Sequence, residues 1–148
     1  MTTLIVRFLT IIISGLMAGI VLGVWLGYNP KNLSATAYLE QQQNAIKALN
    51  TLMPIIGLIT NVLTLTAAFL QKGDEPVFIT LVVAFIFLVV SGLVTRFGNQ
   101  PINKIVMTWN KVTIPENWTT LRDKWWSLHK IRTVAAIIAF SLIVYSGL

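Results

Sequence analysis

The sequence predicts an all-α fold, a four-helix transmembrane bundle forming one domain over residues 1–148, and three observations lead to it. Of the 148 residues, 55% are hydrophobic and only 11% charged, against roughly 25% charged in an ordinary soluble domain. A chain this short has room for one domain. A soluble globule so poor in charge would expose too much apolar surface. Four apolar stretches, at about residues 4–26, 51–70, 77–95 and 131–146, match the length a helix needs to cross hydrocarbon. Backbone polar groups cannot stay unpaired in lipid, so each stretch must close its own hydrogen bonds as a helix.

Helix one carries Arg7 near its outer end, where a long side chain can snorkel to the interface. The small-x-small triplet Ala35-Thr36-Ala37 lies too far beyond this apolar run to be a signal cleavage site, so the helix reads as retained. Gly15, Gly19, Gly23 and Gly27 recur every four residues. Such a stripe lets helix backbones approach closely, which predicts packing against a neighbouring helix and permits a homo-oligomer.

Helix two is expected to run unbroken from Ala37 to Gln71, because membrane helices tolerate Pro54 and Gly57. At about 1.5 Å per residue it would outrun the roughly 30 Å hydrocarbon layer, so its first turns should stand clear of the membrane. Glu40, Gln43, Lys47, Asn50, Pro54, Gly57, Asn61 and Thr64 follow steps of three and four and share one stripe. Gly73 and Pro76 mark the tight turn that follows. Helix three, nearly all Val, Ile, Leu and Phe, suits a lipid-facing wall.

The third connection, residues 96–104, reads as turn-rich, and Trp109 follows it. Thr113-Ile114-Pro115-Glu116 matches a capping box with proline in the first turn, so helix four should start there. Trp118, Arg122, Trp125, His129, Arg132 and Ala136 then fall on one narrow stripe. Helices two and four thus extend beyond the membrane on the same side. Polar groups at membrane depth turn away from lipid, so Glu40, Lys47, Asn50 and Asn61 should face Arg122, Trp125, His129 and Arg132 across one cavity.

Composition narrows the function. There is no cysteine and a single histidine, which removes disulfides, CxxC chemistry, thiolate metal sites and multi-histidine metal centres. The net charge of +6 sits beside the apolar spans, where it reports orientation rather than nucleic-acid binding. Lys31 and Lys47 belong to connection one, and Arg96, Lys104, Lys111, Arg122, Lys124, Lys130 and Arg132 to connection three. The opposite side has Arg7 and Lys72, which predicts that connections one and three are cytoplasmic.

The run Asn99-Gln100-Pro101-Ile102-Asn103, then Trp109, Trp118, Leu121-Arg122-Asp123, Trp125, His129 and Ile131-Arg132-Thr133, resembles the anthrone oxygenase-like family. The glycine-rich first helix and the Pro54-centred second helix fit as well, so the resemblance covers nearly the whole chain. It implies a small four-helix membrane protein. For part of the family it implies oxidation of anthrones to anthraquinones by oxygen, with no metal or organic cofactor.

Two functions follow. In the enzymatic one, His129 is the general base for a flat phenolic or anthrone-like substrate, kept neutral by Arg132. Arg122 and Arg132 stabilise the enolate or phenolate and a reduced oxygen species. Trp109, Trp118 and Trp125 stack on the rings, while Asn50, Asn61, Asn99 and Asn103 supply hydrogen bonds. In the second, the same pocket binds a lipid, quinone or other apolar small molecule without chemistry. Each residue also has a plainer use: His129 can bond Glu40, Asn50 or a backbone carbonyl, Arg122 can pair with Glu40 or Glu116, Arg132 can reach headgroups, and the tryptophans can form an interfacial belt.

Overall fold

The computed structural model describes residues 1–148, and every regular element in it is helical. In order these are α1 (Thr2–Gly27), α2 (Ala35–Leu49), α3 (Leu52–Leu70), α4 (Glu75–Leu93), α5 (Gln100–Val106) and α6 (Trp118–Tyr145). A short 3-10 turn at Pro30–Asn32 precedes α2, and a π-helical segment at Val94–Asn99 joins α4 to α5. Four continuous helical stretches, containing α1, α3, α4 with α5, and α6, are long and apolar enough to cross a membrane. Helix α1 packs on α3 and α6, and α4 packs on the same two from the other side.

Local chemistry sets the helix ends. Ser34 Oγ accepts from Ala37 N–H at the start of α2, and Asp74 Oδ1 accepts from Val77 N–H at the start of α4. Each satisfies one donor that a first helical turn leaves without an intrahelical partner. At the opposite end of the chain Arg7 reaches inward and donates to the Ser146 carbonyl at 2.9 Å, satisfying a carbonyl at the end of α6.

Several expectations are revised. The second helix is not continuous: it breaks at Asn50–Thr51 into α2 and α3. Pro54 supplies no N–H to the Asn50 carbonyl four residues back, and its ring crowds that oxygen. The Gln100 side chain takes up the freed carbonyl at 3.4 Å. The third connection, expected to turn at residues 96–104, stays helical through Val106. Pro101 is accommodated by a wide turn, in which Gln100 N–H bonds five residues back to Thr95. This turn presses close to α6, where a Cβ on Gly98 would lie 2.9 Å from Leu128.

The capping box at residues 113–116 does not form. Thr113 Oγ1 accepts from Asn110 N–H instead, and α6 starts at Trp118. The glycine stripe of α1 is mostly unpacked: Phe140 lies against Gly15, but nothing approaches Gly19, Gly23 or Gly27. Helix α4 is more than a wall, since Leu81, Ala84, Leu88 and Ser91 are buried while Ile79, Ile86 and Val90 face outward.

The interior has two parts. One end is tightly packed around Ala67, Ala68, Leu81, Ala84, Ala136 and Ala139, whose small side chains let the helices close up. The other end is built from Leu39, Ile46, Ile102, Val106, Trp125 and Trp126. Cavities open between and beside these two clusters.

Candidate functional site

The first cavity, of about 260 Å³, lies between α1, α2 and α6 and is lined by Tyr28, Gln42, Asn50, Trp125, His129 and Arg132 among mostly apolar neighbours. A second, of about 210 Å³, lies between α3 and α4 beside Gly57, Asn61, Gly92 and Arg96. Both are bounded by Val21, Met53, Pro54, Thr95 and Arg132, so the Arg132 guanidinium sits where the two meet. A cavity of about 150 Å³ holds one benzene ring. These spaces therefore suit a ligand of more than one ring. No Asp or Glu lines either cavity.

Helix α6 sets the central geometry. Trp125 and His129, four residues apart, stack with centroids 5.2 Å apart and planes within 1°. Trp126 lies near-parallel too, 5.6 Å from His129 and 6.4 Å from Trp125. Arg132, one turn on, donates from Nε and Nη2 to His129 Nδ1 at 3.1 and 2.9 Å. A guanidinium has no acceptor, so Nδ1 must present its lone pair. The ring proton therefore lies on Nε2, which donates to the Val21 carbonyl at 3.1 Å. Both imidazole nitrogens are engaged and the residue is fully buried. Arg132 Nη1 also donates to Thr95 Oγ1, and the guanidinium lies 5.9 Å from the Trp125 ring centre.

A chain of amides supports this arrangement. Trp125 Nε1 donates to Asn103 Oδ1 at 2.9 Å, and Asn103 Nδ2 donates to Asn50 Oδ1 at 2.8 Å. Asn99 Nδ2 donates to the Trp125 carbonyl at 3.0 Å. Asparagines from the π-helical segment and α5 thus clamp the ring and backbone of Trp125. They also fasten it to the end of α2. Buried polar groups in mutual hydrogen bonds hold one geometry.

Of the residues singled out from sequence, Asn50, Asn103, Trp125, His129 and Arg132 come together at the first cavity. Asn61 lines the second, where Nδ2 bonds back to the Gly57 carbonyl and Oδ1 lacks a partner. Asn99 lines neither and holds Trp125 from behind. Arg122, Trp118 and Trp109 are not brought to the cavities. Arg122 Nε pairs with Asp123 at 2.9 Å, and its guanidinium lies 4.8 Å over Trp118. Trp118 stacks on Tyr38 at 5.2 Å. Trp109 packs against the aromatic cluster, and its carbonyl accepts from Gln43 Nε2. Glu40 and Lys47 do not face the α6 stripe either: Glu40 pairs with Lys111 at 2.6 Å at the surface, and Lys47 is exposed. That carboxylate raises the Lys111 amine above its ordinary range.

Among the lining residues that went unnoticed in sequence are Tyr28, Gln42 and Thr95. Gln42 had a readable signal, since Tyr38, Leu39, Gln42 and Ile46 form the buried face of α2 and only Gln42 interrupts it with an amide. Thr95 had none, because the wide turn that begins at Val94 resets the helical phase.

A family model described as anthrone oxygenase matches residues 42–142. The chain belongs to the anthrone oxygenase family. Its match begins at Gln42 and takes in the Asn99–Asn103 segment and the Trp125–His129–Arg132 stack. The α1 wall and Tyr28 lie outside it. No curated protein and no solved structure matches the chain.

Proposed function

We propose that this anthrone oxygenase family member is a four-helix bundle crossing the membrane four times, and that it oxidises a flat, apolar phenolic or anthrone-like substrate with molecular oxygen. One observation carries the reading. The Arg132 cation borders two mostly apolar cavities with no carboxylate to neutralise it. A cation without a counterion in such surroundings favours a ligand that brings or develops negative charge.

In the balanced conversion, one ring methylene and one molecule of oxygen give one ring carbonyl and one water. It begins by removing an acidic hydrogen from the ring system, leaving an enolate or phenolate. In this reading the substrate's carbonyl or hydroxyl oxygen, on binding, takes over the guanidinium bonds that Arg132 makes to His129 Nδ1. That exchange frees the imidazole lone pair to accept the proton, so His129 serves as base once substrate is bound. Oxygen takes electrons from the electron-rich ring and adds to the deprotonated carbon. Loss of water then gives the carbonyl. Arg132 stabilises the anionic stages, and Trp125 offers a face for the rings. Arg122, Trp109 and Trp118 have no part in this scheme.

In this reading lipids surround the outward Leu, Ile and Phe side chains of the four spans, and the lysines and arginines of connections one and three support a cytoplasmic position for that side. The open glycine stripe leaves room for a second copy.

A second reading, a binding protein for a quinone or other apolar ligand, is favoured by one fact: both nitrogens of His129 are already bonded. An oxygen electrode separates the two. Purified protein given anthrone, without added metal, should consume one oxygen molecule per anthrone and release anthraquinone. Saturable anthrone binding without oxygen uptake would leave the binding reading in its place.

A further inference from the structure

We infer that Gln42 is a specificity-determining residue, selecting ligands that carry a second oxygen acceptor besides the one held by Arg132. The inference rests on the oxyanion reading of Arg132 for the first contact only.

Gln42 is fully buried and lines the same cavity as Trp125, His129 and Arg132. Its Oε1 accepts from the Tyr28 hydroxyl at 3.1 Å. Its Nε2 is buried and has no hydrogen-bond partner. Buried amide donors without partners are rare because water satisfied them in the unfolded chain. Tyr28 packs edge-on against Trp125 at 6.3 Å, so the Tyr28–Gln42 pair belongs to the same aromatic wall as the stack.

Gln41 and Asn44 also line the cavity but are exposed, whereas the buried donors of the wall behind them are committed. Trp125 Nε1 is taken by Asn103, His129 Nε2 by Val21, and Asn103 Nδ2 by Asn50. On the buried wall the unspent capacity is for donation, from Gln42 Nε2 and the Arg132 guanidinium. No carboxylate there would accept from a ligand. A matching ligand is therefore a planar molecule with two acceptor oxygens, one ionisable and one a carbonyl or ether. A site built to hydrogen-bond a group strongly rejects the analogue lacking it, because the protein's donor is then stranded.

Two bicyclic probes test this. 1-Naphthol carries one oxygen, and 4-hydroxy-1-naphthaldehyde adds a carbonyl at the far end of the ring. Binding of both is measured by tryptophan quenching in the full chain, its folding checked by circular dichroism. The chain should prefer the aldehyde, and Gln42→Leu should shrink that preference about tenfold with 1-naphthol affinity little changed. Gln42→Met, which keeps much of the length but has no donor, should shrink it as well and serves if the leucine variant misfolds. Tyr28→Phe should weaken the preference partially, by freeing the amide to turn.

A preference unchanged in Gln42→Leu or Gln42→Met overturns the inference, and so does equal weakening of both probes, which marks a merely structural role. Arg132→Met should weaken both probes, the aldehyde more, because its para carbonyl makes the hydroxyl the stronger acid. If it changes neither affinity while Gln42→Leu still alters the ratio, the oxyanion reading fails and the Gln42 assignment stands.

Discussion

Arg122 and Arg132 stand ten residues apart on one stripe of the same helix, yet they end in different chemistry. Arg122 has a carboxylate neighbour, Asp123, and an aromatic face, Trp118, and that region is fully accounted for by its own contacts. Arg132 has only neutral partners, His129 and Thr95, and borders two cavities. A shared stripe does not confer a shared role. What separates the two is whether a compensating charge lies within reach.

The largest expected effect lies at the Arg132 end. His129→Ala should lower oxygen consumption by roughly 10²–10⁴-fold while circular dichroism shows a folded helical protein. Normal turnover in that variant would reduce His129 to a hydrogen-bonded support for the stack. Arg132→Met should lower the turnover rate by roughly 10²–10³-fold. Arg122→Met, at the other end of the stripe, should change it by less than about threefold, because Arg122 lines neither cavity. Comparable losses in the two arginine variants would erase the distinction drawn here.

The amide chain should show in stability. Asn103→Leu strands both the Trp125 indole N–H and the Asn50 side-chain oxygen, so unfolding in mild detergent should reveal a loss of about 1–3 kcal/mol. The cation–π contact of Arg122 with Trp118 is worth less, and Arg122→Met should cost about 0.5–1 kcal/mol.

The smallest effect is a pH response beside Arg122. Burial pushes the Tyr38 phenol up to about 12, with Arg122 pulling the other way. The folded value lies above the ordinary 10.0, so this contribution to stability is complete below pH 10 and fades as pH rises toward 12. Absorbance of tyrosinate should follow that loss, and Tyr38→Phe should remove it.

The same contrast shows how far sequence alone reaches. Long apolar runs revealed the four spanning-length helices, because hydrocarbon leaves the backbone no alternative. The i, i+3 and i+4 spacing brought Trp125, His129 and Arg132 together because all three lie on one unbroken helix. Spacing failed wherever a proline intervened. Pro54 splits α2 from α3, so a stripe drawn through Glu40, Lys47 and Asn61 crosses a change of phase. Pro101 and its wide turn likewise carry Asn99 and Asn103 inward from a stretch that read as a loop. The pairing of Arg122 with Asp123 was equally hidden, since adjacent residues of a helix do not ordinarily face each other.

The central claim is that Arg132 holds a place for an oxyanion, and the ionisation of a bound phenol tests it most directly. 1-Naphthol bound to the full chain should ionise at a pH about one unit or more below that of free 1-naphthol, seen as the naphtholate absorption band. Arg132→Met should abolish the shift, and Arg122→Met should leave it in place. A bound naphthol that titrates identically in the wild-type and Arg132→Met proteins would contradict the account.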